Sequence, residues 1–157
     1  MVALNLRQHP MRLAGAVKRE VRSQFGAIPW RLNDGKVEIL LITSRGTGRW
    51  ILPKGWPMHG ATPAEAAATE AWEEAGVTGT PSHVAAGFYA YQKLLEGDNL
   101  PIVVAMFPLK VKKVHKEWPE KAERKRRWVS RKRAASLLQE PELRQMVRHF
   151  DPRAHAH

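Results

Sequence analysis

The chain has no cysteine, which excludes a disulfide framework, a thiolate zinc site and a thiol nucleophile. It also lacks any apolar run near the roughly eighteen residues needed to cross a bilayer, since the longest, around Pro101 to Leu109, is strand-sized. A membrane protein is not expected. Met1 to Arg12 contains no continuous apolar segment followed by a small-residue cleavage site, so export is not indicated and a cytoplasmic location is the expectation. Acidic residues are scarce, 15 Asp and Glu against 26 Lys and Arg, leaving a net charge of +11. A field of that sign attracts polyanions such as nucleotides, inositol phosphates, RNA or an acidic membrane surface, although many of the cations serve only as solvated surface.

What is present suits one folded unit. A length of 157 residues is close to the usual domain size, 43% of the residues are hydrophobic, and six are Trp. There is no internal repeat and no low-complexity linker. Residues 1–17 read as an N-terminal arm, 18–150 as the domain and 151–157 as a C-terminal tail.

Val21 to Leu32 and Val37 to Thr43 read as a strand pair about the turn Asn33-Asp34-Gly35, whose residues tolerate positive φ. Trp50 to Leu52 forms a short strand that Pro53 stops. The period then changes. Thr62-Pro63-Ala64-Glu65 has capping-box spacing with Pro at the first helical position, and the helix runs through Ala-rich sequence to Ala75, ended by Gly76. Strands are expected at Val84 to Lys93 and Ile102 to Val111, separated by the turn Glu96 to Asn99, so the sheet is mixed. Glu117 to Arg127 reads as a charged loop, Trp128-Val129 as a short strand, and Ser130 to Leu138 and Glu142 to His149 as helices.

The chemistry concentrates in Gly55 to Val77. At about 100° per residue, Glu70, Glu73 and Glu74 share one helix face, while Ala64, Ala68, Ala71 and Ala75, with Trp72 at the edge, form a stripe that packs against a sheet. Three clustered carboxylates repel unless a positive charge neutralises them, and hard divalent cations prefer oxygen ligands. The alternative is a solvated acidic face. The four remaining His residues considered, His115, His149, His155 and His157, lack compact ligand spacing, and His59 stands alone in a loop, so a His-based zinc site is not expected.

The flanks decide between these alternatives, because they resemble the Nudix signature: a Gly, five residues, Glu, seven residues, Arg-Glu, an apolar residue, any residue, Glu-Glu, any residue, Gly and an apolar residue. Gly55, Glu70, Ala71, Glu73, Glu74, Gly76 and Val77 stand at matching positions, whereas Ala61 replaces the first Glu and Thr69 the Arg. Leu52-Pro53-Lys54-Gly55 and the segment from Trp128 are similar to those of diphosphoinositol polyphosphate and diadenosine polyphosphate hydrolases. The resemblance spans roughly residues 18–149.

That resemblance implies an α/β fold, a mixed β-sheet sandwiched between α-helices. It implies that the Gly55 carbonyl and Glu70, Glu73 and Glu74 hold Mg²⁺, or Mn²⁺, and that these three Glu carry catalysis, with Glu70 also available to deprotonate the attacking water. Glu120 or Glu123 would complete the acidic set. Arg45, Arg49 and Lys54 are the candidates for binding substrate phosphate. Lys121, Arg124, Lys125, Arg126 and Arg127 extend the positive surface, and Trp50, Trp56 and Tyr91 are candidates for stacking a base or for plain packing. The implied activity is cleavage of a phosphoanhydride in a diadenosine or diphosphoinositol polyphosphate, a small-molecule substrate. Nucleic acid enters only as a capped or triphosphorylated RNA end. The alternative is a catalytically weak module that binds nucleotides or RNA 5′ ends, and a third reading is a basic scaffold.

Overall fold

Alternation of side chains along the strands builds a core on each face of one sheet. Val37, Ile39 and Leu41 join one apolar cluster, Leu40 and Ile42 the other, and all five are buried. Ile28 and Trp30 against Phe25 and Ala27, and Ile102, Val104 and Met106 against Ala105, Phe107 and Leu109, repeat the division. A sheet apolar on both faces must be covered twice.

The computed structural model describes residues 11–12, 20–95 and 97–155. Its strands are β1 (Met11–Arg12), β2 (Glu20–Asn33), β3 (Lys36–Thr43), β4 (Trp50–Ile51), β5 (Lys54–Gly55), β6 (Val77–Pro81), β7 (Gly87–Leu95), β8 (Asp98–Val114) and β9 (Arg126–Ser130). The helices are α1 (Pro63–Glu70), continued by a π-helical turn Ala71–Ala75, then α2 (Arg131–Leu137) and α3 (Pro141–Arg148). The sheet order is β4-β3-β2-β8-β6, with β9 on β3, β7 on β8, and β5 and β1 on β2. The central pair, β2 and β8, is parallel from Arg22 opposite Ile102 to Trp30 opposite Lys110, while the other pairs are antiparallel. The expected mixed sheet between helices is therefore present: α1 covers one face, with Ala64, Ala66, Ala67, Ala71 and Ala75 buried, and α2 and α3 cover the other through Ala134, Leu138, Leu143 and Val147.

Several expectations need correction. The helix keeps α geometry only to Glu70, and Ala66 and Ala67 join the packed stripe, in which Ala68 packs half-buried. The strand expected from Val84 begins at Gly87, because the Ser82 hydroxyl accepts from the Val84 N–H (3.2 Å) and holds the preceding segment in a turn. Val77–Pro81, for which the sequence carries no assignment, is strand β6 on the edge of β8. The short strand at Trp50 does end before Pro53, as β4 closes at Ile51, but a separate strand follows that the sequence does not announce, Lys54 and Gly55 pairing with Gly26 and Phe25 of β2. The expected loop from Glu117 holds a 3₁₀ turn at Lys121–Glu123. Most of the N-terminal arm lies outside the described residues, although Met11 and Arg12 pair with Val21 and Glu20. Within the tail, Pro152–His155 forms another 3₁₀ turn.

Both ends of the helix are fixed locally. Thr62 Oγ1 accepts from the Glu65 N–H (3.1 Å) and the Glu65 carboxylate accepts from the Thr62 N–H (2.8 Å), a complete capping box. At the other end Gly76 sits at φ 69°, and a Cβ there would lie 2.5 Å from Trp118 Cδ2 and 2.7 Å from Arg126 Nη1. Gly76→Ala therefore combines left-handed strain with overpacking, about 3 kcal/mol together. Thermal unfolding followed by circular dichroism should show a melting temperature lower by about 5–10 °C, and an unchanged midpoint would contradict this packing.

Candidate active site

The last residue of α1 and the π turn after it carry the acidic cluster. In such a turn the backbone bonds i to i+5 rather than i+4, a local widening often found at functional sites. Glu70 and Glu74 emerge with their carboxyl groups hydrogen-bonded to each other. Glu74 is buried, 6% exposed. Burial pushes its carboxyl up to about 9, the bond to Glu70 adds to the rise, and the nearby Arg124 charge only partly opposes it. Burial also raises Glu70, and the Glu73 and Glu120 charges act in the same direction. One proton shared between the half-buried Glu70 and the buried Glu74 avoids placing two negative charges side by side.

β5 sets the other wall. A Cβ on Gly55 would land on the Glu70 carboxyl group, so the missing side chain is what admits Glu70 against the strand. Facing the pair, Glu120 donates its N–H to the Glu73 carbonyl (3.0 Å), and its carboxylate accepts from Arg124 Nε (3.0 Å) and Nη2 (2.8 Å). Of the two later acids considered from sequence, Glu120 is the one brought against Glu70 and Glu74, while the Glu123 carboxylate turns to Arg45 (3.2 Å).

The three candidate phosphate-binding cations occupy different surroundings. Arg45 is exposed, paired with Glu123, and within electrostatic reach of Glu120 and Glu74. Arg49 reaches across to Gln139 (3.3 Å) and Glu140 (3.4 Å) at the start of α3. Lys54 is lowered by burial, senses Glu74, Glu140 and Arg49, and lies with Nζ 5.1 Å from the Tyr91 ring centre. Lys54 and Arg49 thus share a neighbourhood with the acidic cluster, and Arg45 lies at its rim.

Of the aromatics, Trp50 packs on the core, Tyr91 donates its hydroxyl to the buried Gln24 (2.7 Å), and Trp56 is 40% exposed with Lys93 Nζ 5.1 Å above its ring. The basic run resolves into different roles. Arg126 donates to the carbonyls of Ala75 (2.9 Å) and His115 (2.6 Å) and stacks over Trp118, closing the C-terminal end of the π turn. Arg124 enters the acidic cluster. Sequence reasoning counted both as surface charge, and it missed Gln24 and Trp118, whose indole N–H donates to the Glu74 carbonyl (3.1 Å). Their partners are distant in the chain, so spacing carried no signal for them.

Among the described residues no three acidic or His side chains converge on one point. The donor chemistry nevertheless fits a hard divalent cation: the half-buried Glu70 and the buried Glu74 are oxygen donors, Glu70 lying against the Gly55 backbone, and the pair retains a proton that a dication would replace.

A mixed sheet between two helical layers, with a loop, helix and loop delivering paired carboxylates onto a strand glycine, defines one class of phosphate-chemistry domain. A family model described as NUDIX domain matches residues 20–150, and the chain belongs to the Nudix family. Among its relatives are "Nudix hydrolase 21, chloroplastic" of Arabidopsis thaliana, 34% identical over 82% of this chain and 66% of the relative, and "Nudix hydrolase 12, mitochondrial" of the same plant, 30% identical over 80% and 70%. "Phosphatase NudJ" of Escherichia coli O1:K1 / APEC is 30% identical over 71% of this chain and 69% of its own length. The chain spans about two thirds of the length of these curated relatives. Similar folds include a Caenorhabditis elegans Ap4A hydrolase, TM-score 0.55 and 22% identical, covering 80% of this chain and 92% of that one, and a MutT protein from Methanosarcina mazei, TM-score 0.57 and 22% identical, covering 88% and 99%.

Proposed function

We propose that this domain is a divalent-metal-dependent pyrophosphohydrolase acting on a small molecule that carries several phosphates, of the diadenosine or diphosphoinositol polyphosphate type. The observation that carries this reading is the pair of the half-buried Glu70, seated on Gly55, and the buried Glu74, with Lys54, Arg49, Arg45 and Arg124 around it. Glu70, Glu73, Glu74 and the Gly55 carbonyl would hold Mg²⁺ or Mn²⁺. Bound there, the ion would offset charge on the diphosphate oxygens and acidify a water. Glu70 would accept that water's proton, a role supported by the rise in its basicity on burial. Lys54, Arg49 and Arg45 would steer the anionic substrate, with Arg49 and Arg45 exchanging their present carboxylate partners for phosphate oxygens. The substrate class rests on the Pro53-Lys54-Gly55 resemblance, and the fold shared with a Caenorhabditis elegans Ap4A hydrolase is in keeping with it. Among the described residues no helix is long and apolar enough to cross a membrane. The cytoplasmic location belongs to the same proposal, although named relatives are chloroplastic and mitochondrial.

The test is phosphate release from a panel of diadenosine polyphosphates, an inositol pyrophosphate, nucleoside triphosphates, nucleotide sugars and 5′-triphosphorylated RNA, with and without Mg²⁺ or Mn²⁺. Glu70→Gln should lower metal-dependent turnover by about 10²–10⁴-fold while the fold is retained. Normal turnover in that variant would remove the assignment. A second reading, a weakly catalytic binding module, draws on Ala61 and Thr69 at signature positions, and it requires saturable binding without phosphate release at any metal concentration.

A further inference from the structure

The helix that delivers the carboxylates brings no cation with them. No basic residue occupies the last turn of α1 or the π turn, and at the position where the signature has Arg, the Thr69 hydroxyl donates back to the Glu65 carbonyl (3.0 Å). Glu70 and Glu74 nonetheless lie within electrostatic reach of Glu120, and Glu70 of Glu73, in a partly buried space where like charges are poorly screened.

A cation does arrive, from a segment fifty residues further along the chain. The Arg124 side chain is 6% exposed and its guanidinium is held on three sides. Nε and Nη2 both donate to Glu120, Nη1 donates to the Thr43 carbonyl (3.0 Å), and Nη2 lies 3.5 Å from Glu74 Oε1. Its backbone neighbour is fastened as well, because the Lys125 N–H donates to Thr43 Oγ1 (2.8 Å) and the Thr43 N–H to the Lys125 carbonyl (3.0 Å). The planar fork is therefore locked to the end of β3, and it joins a carboxylate of the loop to one of the π turn. A lysine ammonium cannot satisfy these three directions in one plane.

We infer that Arg124, in the loop before β9, is the positioning residue that orders Glu74 and Glu120 for the metal. The inference rests on the metal-site reading given above. Arg124 touches neither metal nor substrate in this role; it fixes the direction of the carboxylates that would. Partners of this kind, one step removed from a metal, change affinity by about 10- to 100-fold when altered.

The test compares Arg124→Met, Arg124→Lys and Arg124→Met with Thr69→Arg, using Mn²⁺ binding by electron paramagnetic resonance, kcat and KM on the best substrate of the panel, and circular dichroism for folding. Both single variants should bind Mn²⁺ about 10- to 100-fold more weakly and lose kcat with little change in KM, and Thr69→Arg should restore part of both losses by putting a guanidinium on the helix itself. Restoration separates positioning from a general loss of folding. If Glu74→Gln abolishes Mn²⁺ binding while Arg124→Met leaves it intact, or if Thr69→Arg restores nothing, the inference fails alone. If Glu74→Gln also leaves Mn²⁺ binding unchanged, the metal-site reading fails and the inference with it.

Discussion

Glu74→Gln is expected to make the metal-free protein more stable at neutral pH while abolishing metal-dependent hydrolysis. In the fold the Glu74 carboxyl is raised to about 9, chiefly by burial, whereas in the unfolded chain it titrates near 4.5. At pH 7 folding must therefore return a proton to it, which costs on the order of 3 kcal/mol. A neutral Gln needs no such proton. The sign over pH follows: with the folded value above the unfolded one, the stability associated with the neutral acid is fully present below about 4.5 and is lost progressively as pH rises to about 9. Melting temperatures measured in chelator from pH 5 to 9 should fall for the unchanged protein and fall less for the variant, with the variant higher by about 5 °C or more at pH 7. Mg²⁺ should reverse the order by stabilising only the unchanged protein, with proton release on binding. A variant that is less stable in chelator at pH 8, or that still hydrolyses substrate with metal, would contradict a protonated Glu74 buried at the site.

Gly55→Ala is expected to be nearly as damaging as loss of Glu70 itself. Gly55 is not among the residues with positive φ, so its backbone conformation is open to alanine. The conflict lies wholly in the added methyl, which would occupy the place of the Glu70 carboxyl. One group must yield, and the side chain at the end of α1 moves more easily than a strand paired with Phe25. Displacing Glu70 should remove turnover by about 10²-fold or more, in the manner of an error of about 1 Å in catalytic geometry, and overpacking should cost about 1–3 kcal/mol. A double-mutant cycle isolates the cause. Once Glu70→Ala has emptied the space, adding Gly55→Ala should cost little further stability, and a full additive penalty would mean that the two positions do not meet.

The helix, its caps and the acidic face were legible because each is written in neighbouring residues. Thr62 and Glu65 are three apart, Glu70 and Glu74 four apart, and Gly76 follows directly, so local hydrogen bonding and helical period specify them without reference to the rest of the chain. The apolar runs at Val37 to Thr43 and Ile102 to Val111 likewise marked strands, while covering of the sheet on both faces was implied only by the family resemblance. Propensity carried no signal for the two strands set by pairing: β6 is strand because β8 offers it an edge, and β5 because β2 does.

Charge was the least legible quantity. The sequence by itself determined how many cations there are and which carboxylates ride on one helix, since those follow from composition and from 3.6 residues per turn. Only the tertiary structure decided that Arg124 enters the acidic cluster, that Arg126 closes the helix end, that Glu123 holds Arg45 at the rim and that Glu120 faces the Glu pair. The physical reason is that an ion's energy depends on burial and on partners brought close by folding. For a flexible side chain dozens of residues from its partner, neither is encoded in any local pattern.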